Sequence, residues 1–94
     1  MYLGKKIKEL REEKELLQRQ LSAELEIDTP MYSKIERGER KAKREQVIKM
    51  AKLFDVNENE LIAFWLAGQV YEIVKEESTA LDALKIVVKT VEDI

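Results

Sequence analysis

The stretch that decides the fold is residues 18–37, QRQLSAELEIDTPMYSKIER. Apolar residues three and four positions apart predict one short helix over about 18–25 and a second over about 30–37. Asp28 or Thr29 can accept a hydrogen bond from the first backbone N–H groups of the second helix, where Pro30 needs no donor. The sequence therefore predicts two short helices joined by a turn of only a few residues.

Helical patterns continue on both sides of this stretch, and few residues interrupt them. Apolar spacing indicates a first helix over about 2–15 and a fourth over about 44–54, and Gly38 offers a stop before the fourth. A capping-box pair, Asn57 with Glu60, precedes a fifth helix that is expected to begin at the next residue. With one Pro and three Gly in 94 residues, the sequence predicts an all-α fold.

The composition excludes most enzyme chemistry. The chain contains no Cys and no His, so thiol nucleophiles, disulfides, Cys or His metal sites and the commonest general base are all absent. We therefore expect no enzymatic activity, no metal site and no cofactor. The apolar runs are short and the N-terminus lacks the apolar stretch of a signal peptide, which predicts a cytoplasmic location and no membrane partner.

Charge is divided unevenly along the chain. The net charge is −2, from 17 Lys and Arg against 19 Asp and Glu. Residues 1–56 carry 14 basic and 11 acidic side chains, whereas residues 57–94 carry 3 basic and 8 acidic side chains. The densest basic segment, residues 34–44, holds six basic and two acidic side chains, a net charge of +4. A phosphate responds to this local density because charges are screened beyond about 8–10 Å.

Three segments of the sequence carry a family resemblance. QRQLSAELEI over 18–27, YSKIERGERK over 32–41 and VIKMAKLFDVNENEL over 47–61 resemble the helix-turn-helix family of the lambda and Cro repressors, also called the Xre family. The resemblance covers about residues 3–62, and its most specific part is SKIERG. It implies a regulator of transcription that binds double-stranded DNA sequence-specifically as a homodimer, with the helix over about 30–37 in the major groove.

The resemblance also implies which residues contact DNA. In the family, the first turn of the recognition helix and one residue a turn later touch base edges. The start of the preceding helix offers N–H groups to a phosphate, and the basic loop after the recognition helix is the electrostatic anchor. The expected base contacts are Thr29, Pro30, Ser33 and Lys34, and the expected phosphate contacts are Gln18, Arg37, Arg40, Lys41 and Lys43.

Four residues near these positions need their own explanation. Leu17 stands where Ser or Thr usually caps the second helix, so another group must satisfy that helix start. Glu26 stands where Gly is common, so either a non-Gly residue takes a positive φ or the turn differs. Ala42 replaces a frequent Pro. Glu36 is expected to serve the domain itself through a salt bridge or a cap, because a carboxylate facing phosphates would be repelled.

We predict that the chain consists of a DNA-binding domain over 1–65 and a helical extension over 66–94. Ser78 and Thr79 offer a cap for the last helix, which carries one apolar stripe. We predict a five-helix domain whose extension dimerises, because such readers bind two half-sites related by two-fold symmetry. The expected interface residues are Trp65, Tyr71, Leu81, Leu84, Val87, Val88 and Val91.

Two other interpretations of the extension stay open. In one, the last helices pack back on their own domain. In the other, the protein is an interaction module or an antitoxin whose C-terminal helices bind a partner protein, such as a toxin or a polymerase subunit. The residue pattern does not separate these from a dimeric regulator with a double-stranded DNA operator.

Overall fold

A computed structural model describes residues 2–94, with side chains from residue 3 onward. This part of the chain holds six α-helices and no strand, so the all-α prediction is confirmed. The second helix has the expected bounds. The helices are α1 (Tyr2–Glu13), α2 (Gln18–Leu25), α3 (Thr29–Glu36), α4 (Arg44–Phe54), α5 (Glu58–Val74) and α6 (Ala80–Glu92).

Several helix ends differ from expectation because a local group starts or stops the helix. α1 ends two residues early, since Glu15 adopts a left-handed φ of 56°. α5 begins at Glu58, earlier than expected, because Asn57 Oδ1 accepts a hydrogen bond of 3.1 Å from the Glu60 N–H. α6 begins after Thr79, whose side chain makes no capping hydrogen bond. At α5, therefore, the structure has one of the two hydrogen bonds of the expected capping box. At α6, the Thr79 side chain does not provide the expected cap.

The core lies between α1, α2, α3, α4 and the first half of α5. The most closely packed helix pairs are α4 with α5, α1 with α5 and α2 with α3. α3 buries only one face, so its other face stays at the surface. The buried apolar residues are Leu3, Ile7, Leu10, Leu21, Leu25, Tyr32, Ile35, Ala42, Val47, Met50, Ala51, Phe54 and Leu61.

Gly4 allows α1 to approach the end of α3. A Cβ atom placed on Gly4 would lie 2.3 Å from the carbonyl oxygen of Glu36 and 2.9 Å from that of Ile35. Both distances are shorter than real Cβ atoms show against backbone. Only a residue without a side chain fits here, so Gly4 sets the position of α1 against α3.

The last part of the chain projects from this core, and we call residues 66–92 the C-terminal arm. α5 passes the expected boundary at residues 65 and 66 without a break, and α6 has no buried residue. None of the closely packed helix pairs in the described chain includes α6. The division into domains over 1–65 and 66–94 stays a prediction about function. Within residues 2–94, no helix has the length and apolar character needed to span a bilayer.

Candidate nucleic-acid interface

The turn between α2 and α3 is three residues long and is closed by two local devices. Glu26 adopts φ 58° and ψ 41°, a left-handed conformation that is uncommon for a residue other than Gly. Asp28 Oδ1 accepts a hydrogen bond of 2.7 Å from the Met31 N–H and so caps α3. Of the two possibilities for Glu26, the structure therefore has the positive φ. The cap explains why α3 begins at Thr29, one residue before its expected start.

The start of α2 lacks a side-chain cap at Leu17 and is satisfied in another way. Gln20 Oε1 accepts a hydrogen bond of 2.7 Å from the Leu17 N–H. The side chain of the third helical residue thus reaches back to the residue before the helix, as in half of a capping box. The Gln20 side chain is therefore the group that satisfies this helix start in place of a Ser or Thr cap at position 17.

Glu36, the last residue of α3, is buried and joins three helices. Arg11 of α1 donates from Nε to Glu36 Oε2 at 2.7 Å and from Nη2 to Oε1 at 3.2 Å. Gln18 of α2 donates from Nε2 to Oε1 at 3.1 Å. Burial raises the pKa of Glu36, but the hydrogen bonds lower it by more, so its pKa lies below the usual range. The predicted structural role of Glu36 is confirmed, and the amide group of Gln18 is engaged inside the domain.

The outward face of α3 carries the expected base contacts. The inward face consists of Tyr32, Ile35 and Glu36. Positions 30, 33, 34 and 37 follow the helical spacing of one stripe on the opposite side. Along this stripe and at its start, Pro30 and Lys34 are exposed, and Thr29 and Ser33 are half-buried.

The Thr29 hydroxyl is already used inside the helix-turn-helix. Ser22 Oγ lies 2.9 Å from Thr29 Oγ1 and donates a hydrogen bond of 3.1 Å to the Arg19 carbonyl. Because a hydroxyl has one proton, Thr29 is the donor in this pair and keeps only its lone pairs for other partners. Thr29 can therefore accept a hydrogen bond from a base edge, but it has no proton to donate to one.

Arg37 follows α3 and connects it to the segment beyond. Its Nε donates to Glu39 at 2.7 Å, and its Nη1 donates to Ser33 Oγ. The hydrogen bond raises the pKa of Arg37 and lowers the pKa of Glu39. Both side chains are more than half exposed, so this ion pair is weak and a phosphate can compete for Arg37. Ser33 accepts from Arg37 and so keeps its own proton for an outside acceptor.

The segment between α3 and α4, residues 37–43, is the basic loop. Arg40, Lys41 and Lys43 are exposed on it, as the phosphate-contact prediction requires. Ala42 points the other way and is only 2% exposed. The backbone N–H of Lys43 donates to Gln46 Oε1 at 2.9 Å, which starts α4.

Trp65 of α5 contacts the basic loop on the side that faces the core. Its indole Nε1 donates a hydrogen bond of 2.7 Å to the Ala42 carbonyl. Lys41 Nζ lies 5.7 Å, and the guanidinium carbon of Arg44 lies 5.0 Å, from the centre of the indole ring. Both distances fall within the range of cation–π attraction. Trp65, expected at a dimer interface, thus lies against the loop of its own domain.

An open groove of about 390 Å³ lies beside α3, between α1 and the start of α2. Two lysines of α1, Lys5 and Lys8, were not expected at the DNA interface but line this groove. In the sequence, their separation of three residues indicates only that they share the polar face of α1. It does not indicate which helix lies next to that face. The lining residues are Lys5, Lys8, Gln18, Ser33, Glu36 and Arg37.

The C-terminal arm presents most of the expected dimer residues at the surface. In α6 they form one stripe with helical spacing. Leu84 is half-buried, Tyr71 of α5 is 48% exposed, and Leu81, Val87, Val88 and Val91 are 54–64% exposed.

The described part of the chain contains no cluster of possible metal ligands. No group of three or more Asp and Glu side chains within residues 2–94 is arranged to hold a metal ion.

Comparison with known proteins identifies the family. No curated protein and no solved structure matches the chain. The model of the helix-turn-helix family HTH_3 matches residues 7–61, which is more than half of the chain and includes α2, α3 and the basic loop. Membership of this family indicates a DNA-binding regulator. The chain belongs to the HTH_3 family, the helix-turn-helix family of the lambda and Cro repressors.

Proposed function

We propose that this protein regulates transcription by binding double-stranded DNA sequence-specifically as a homodimer, with α3 in the major groove. The observation that carries the proposal is that cations adjoin the outward stripe of α3 from two separate segments, α1 and the basic loop. Lys5 and Lys8 flank the stripe across the open groove, and the basic loop follows it directly. Cations next to a helix in the major groove can contact the phosphates that border the groove.

The base contacts differ in what each can recognise. Lys34 is exposed and can donate to the O6 and N7 atoms of guanine. Ser33 can donate its proton to a base acceptor, whereas Thr29 can only accept, from the amino group of adenine or cytosine. Pro30 offers only an apolar contact, which suits the methyl group of thymine.

The phosphate contacts divide between side chains and backbone. At the start of α2, backbone N–H groups of Gln18 and Arg19 face no helical acceptor and carry the positive end of the helix dipole. We assign one phosphate to these groups rather than to the Gln18 amide, which donates to Glu36. The remaining assignments are to exposed side chains, namely Arg37, Arg40, Lys41 and Lys43 on the basic loop and Lys5 and Lys8 on α1.

The dimer is assigned to the apolar side chains of the C-terminal arm. Eight large apolar side chains of the arm are 41–76% exposed in the single chain. Large apolar side chains exposed in this number favour an interaction surface. The acidic arm would also keep away from the phosphates that the basic half binds. The side chains counted are Leu66, Val70, Ile73, Leu81, Ile86, Val87, Val88 and Val91.

Selection of bound duplexes from a random DNA pool tests the proposal. We expect an enriched motif with two-fold symmetry and half-sites about one helical turn, roughly 34 Å, apart. Lys34→Ala should change the preferred base at one position of each half-site. Arg40→Ala should weaken binding to all sequences alike and reduce the salt dependence of log K by about 0.9.

Each outcome of this experiment decides one part of the proposal. An enriched motif without symmetry, bound by one copy of the protein, would remove the dimer and keep the DNA-binding function. If no motif is enriched and binding stays at the non-specific level, sequence-specific regulation is overturned. The mass of the complex on the selected duplex, measured by light scattering, counts the copies directly.

A further inference from the structure

The basic loop has little backbone support of its own. The C-terminal turn of α3 ends with the Glu39 N–H bonding to the Lys34 carbonyl, and α4 starts with the Lys43 N–H bonding to Gln46. Between these two ends, within the described chain, the backbone of residues 40–42 makes one hydrogen bond, from Trp65 to the Ala42 carbonyl. The conformation of the middle of the loop therefore depends on this hydrogen bond together with the burial of Ala42 in the core.

Trp65 also fixes two of the cations of this region. Lys41 and Arg44 both lie over its indole ring, at 5.7 and 5.0 Å from the ring centre. Long basic side chains lose conformational freedom when they bind a phosphate, and a side chain that is already held loses less. The ring therefore prepares these cations for binding, at the same point where the indole N–H holds the loop backbone.

We propose that Trp65 positions the basic loop for phosphate binding, as a residue that acts through the loop and does not itself touch DNA. This inference rests on the proposed function, because it assigns the loop to phosphate. The proposed positioning residue lies 23 positions along the chain from Ala42, whose carbonyl group accepts its hydrogen bond. It also makes α5 part of the DNA-binding machinery beyond its share of the core.

A purely structural role for Trp65 gives different expectations. Trp65 is partly buried and packs against the core, so any change there can lower the stability of the domain. A loss of stability alone would reduce the folded fraction, and it would leave the salt dependence of binding by the folded protein unchanged. The number of phosphates contacted sets that salt dependence, about 0.9 in the slope of log K for each contact on duplex DNA.

Two substitutions separate the hydrogen bond from the ring. Trp65→Phe keeps an aromatic face but loses the indole N–H, whereas Trp65→Leu keeps only apolar packing. Phe64→Leu is the matched control, because Phe64 is also on α5, partly buried against the core and covered by a cation, Lys6 at 5.7 Å. The cation over Phe64 belongs to α1 and not to the basic loop, so this control changes packing and one cation–π contact while the bond from Trp65 to the loop is kept.

The measurements are duplex binding across a range of salt concentrations and hydrogen exchange of the loop amides in the DNA-free protein. For Trp65→Leu we expect binding weaker by about tenfold, a salt slope reduced by about 1 to 2, and faster exchange of the Lys43 amide, which donates to Gln46 in the wild type. Trp65→Phe should fall between this variant and the wild type. Phe64→Leu should lower the melting temperature but keep the wild-type salt slope and loop exchange.

The outcomes distinguish this proposal from the proposed function. If the wild type binds duplex DNA and Trp65→Leu keeps its affinity and salt slope, the positioning role is overturned while DNA binding stands. If Phe64→Leu changes the salt slope as much as Trp65→Leu, the effect comes from general packing and the proposal fails. If the wild type binds no duplex at any salt concentration, the proposed function fails, and the role of Trp65 in phosphate binding fails with it.

Discussion

Gly4→Ala is expected to destabilise the protein, although alanine is the better helix former. In an exposed helix this change gains about 0.5–1 kcal/mol. Here the new methyl group would lie 2.3 Å from the Glu36 carbonyl oxygen, where ordinary contact begins at 3.4 Å. α1 would have to move away from α3 by about 1 Å, and overpacking of this kind costs about 1–3 kcal/mol. We therefore expect a net loss of stability of about 1–2 kcal/mol.

Thermal denaturation followed by far-ultraviolet circular dichroism measures this loss. For a domain of this size, 1 kcal/mol corresponds to a fall of about 4–8 °C in the melting temperature. Position 9 on the exposed side of α1 is the control, because Glu9→Ala should be more stable than Glu9→Gly by about 0.5–1 kcal/mol. A Gly4→Ala variant as stable as the wild type, or more stable, would refute the argument that Gly4 sets the distance between α1 and α3.

Three further predictions concern ion pairs and the arm. Glu36→Gln breaks the buried pair with Arg11 and should lower the free energy of unfolding by roughly 2–3 kcal/mol at pH 7 in urea denaturation. The folded-state pKa of Glu36 is below its ordinary value of 4.5, so this contribution is present above pH 4.5 and is lost as the pH falls through the folded-state pKa. A difference in stability between wild type and variant that does not change with pH would contradict this. Glu39→Gln releases Arg37 and should strengthen binding to all duplexes about two- to fivefold at about 0.1 M salt, and equal or weaker binding in a titration would count against it. If the proposed dimer forms through the arm, Val88→Asp should give a monomer in sedimentation without lowering the melting temperature of the core, and a dimer that persists would place the interface elsewhere.

Local patterns were enough to predict the helix-turn-helix. The bounds of α2 follow from apolar spacing, and the cap of α3 is one of the two residues that the sequence offered, Asp28 and Thr29. The unusual backbone of Glu26 was one of two possibilities at a position where Gly is common. These features depend on residues within one helical turn of each other, so the sequence contains the information needed to predict them.

Helix length was less predictable than helix identity. The spacing of apolar residues continues to residue 15 in α1, but the left-handed conformation of Glu15 ends the helix earlier. α5 runs past the expected boundary after Trp65, because nothing in its sequence stops a helix before Val74. A boundary between functions need not coincide with the end of a helix.

By itself, the sequence determined the helices, their order, the tight turn and the concentration of positive charge that follows α3. Only the tertiary structure decided the contacts between distant residues, such as Arg11 with Glu36 and Trp65 with Ala42, which are 25 and 23 positions apart. It also decided that Lys5 and Lys8 line the groove beside α3. The physical reason is that helical spacing shows which residues share a face, whereas the neighbour of that face depends on how all the helices pack around one core.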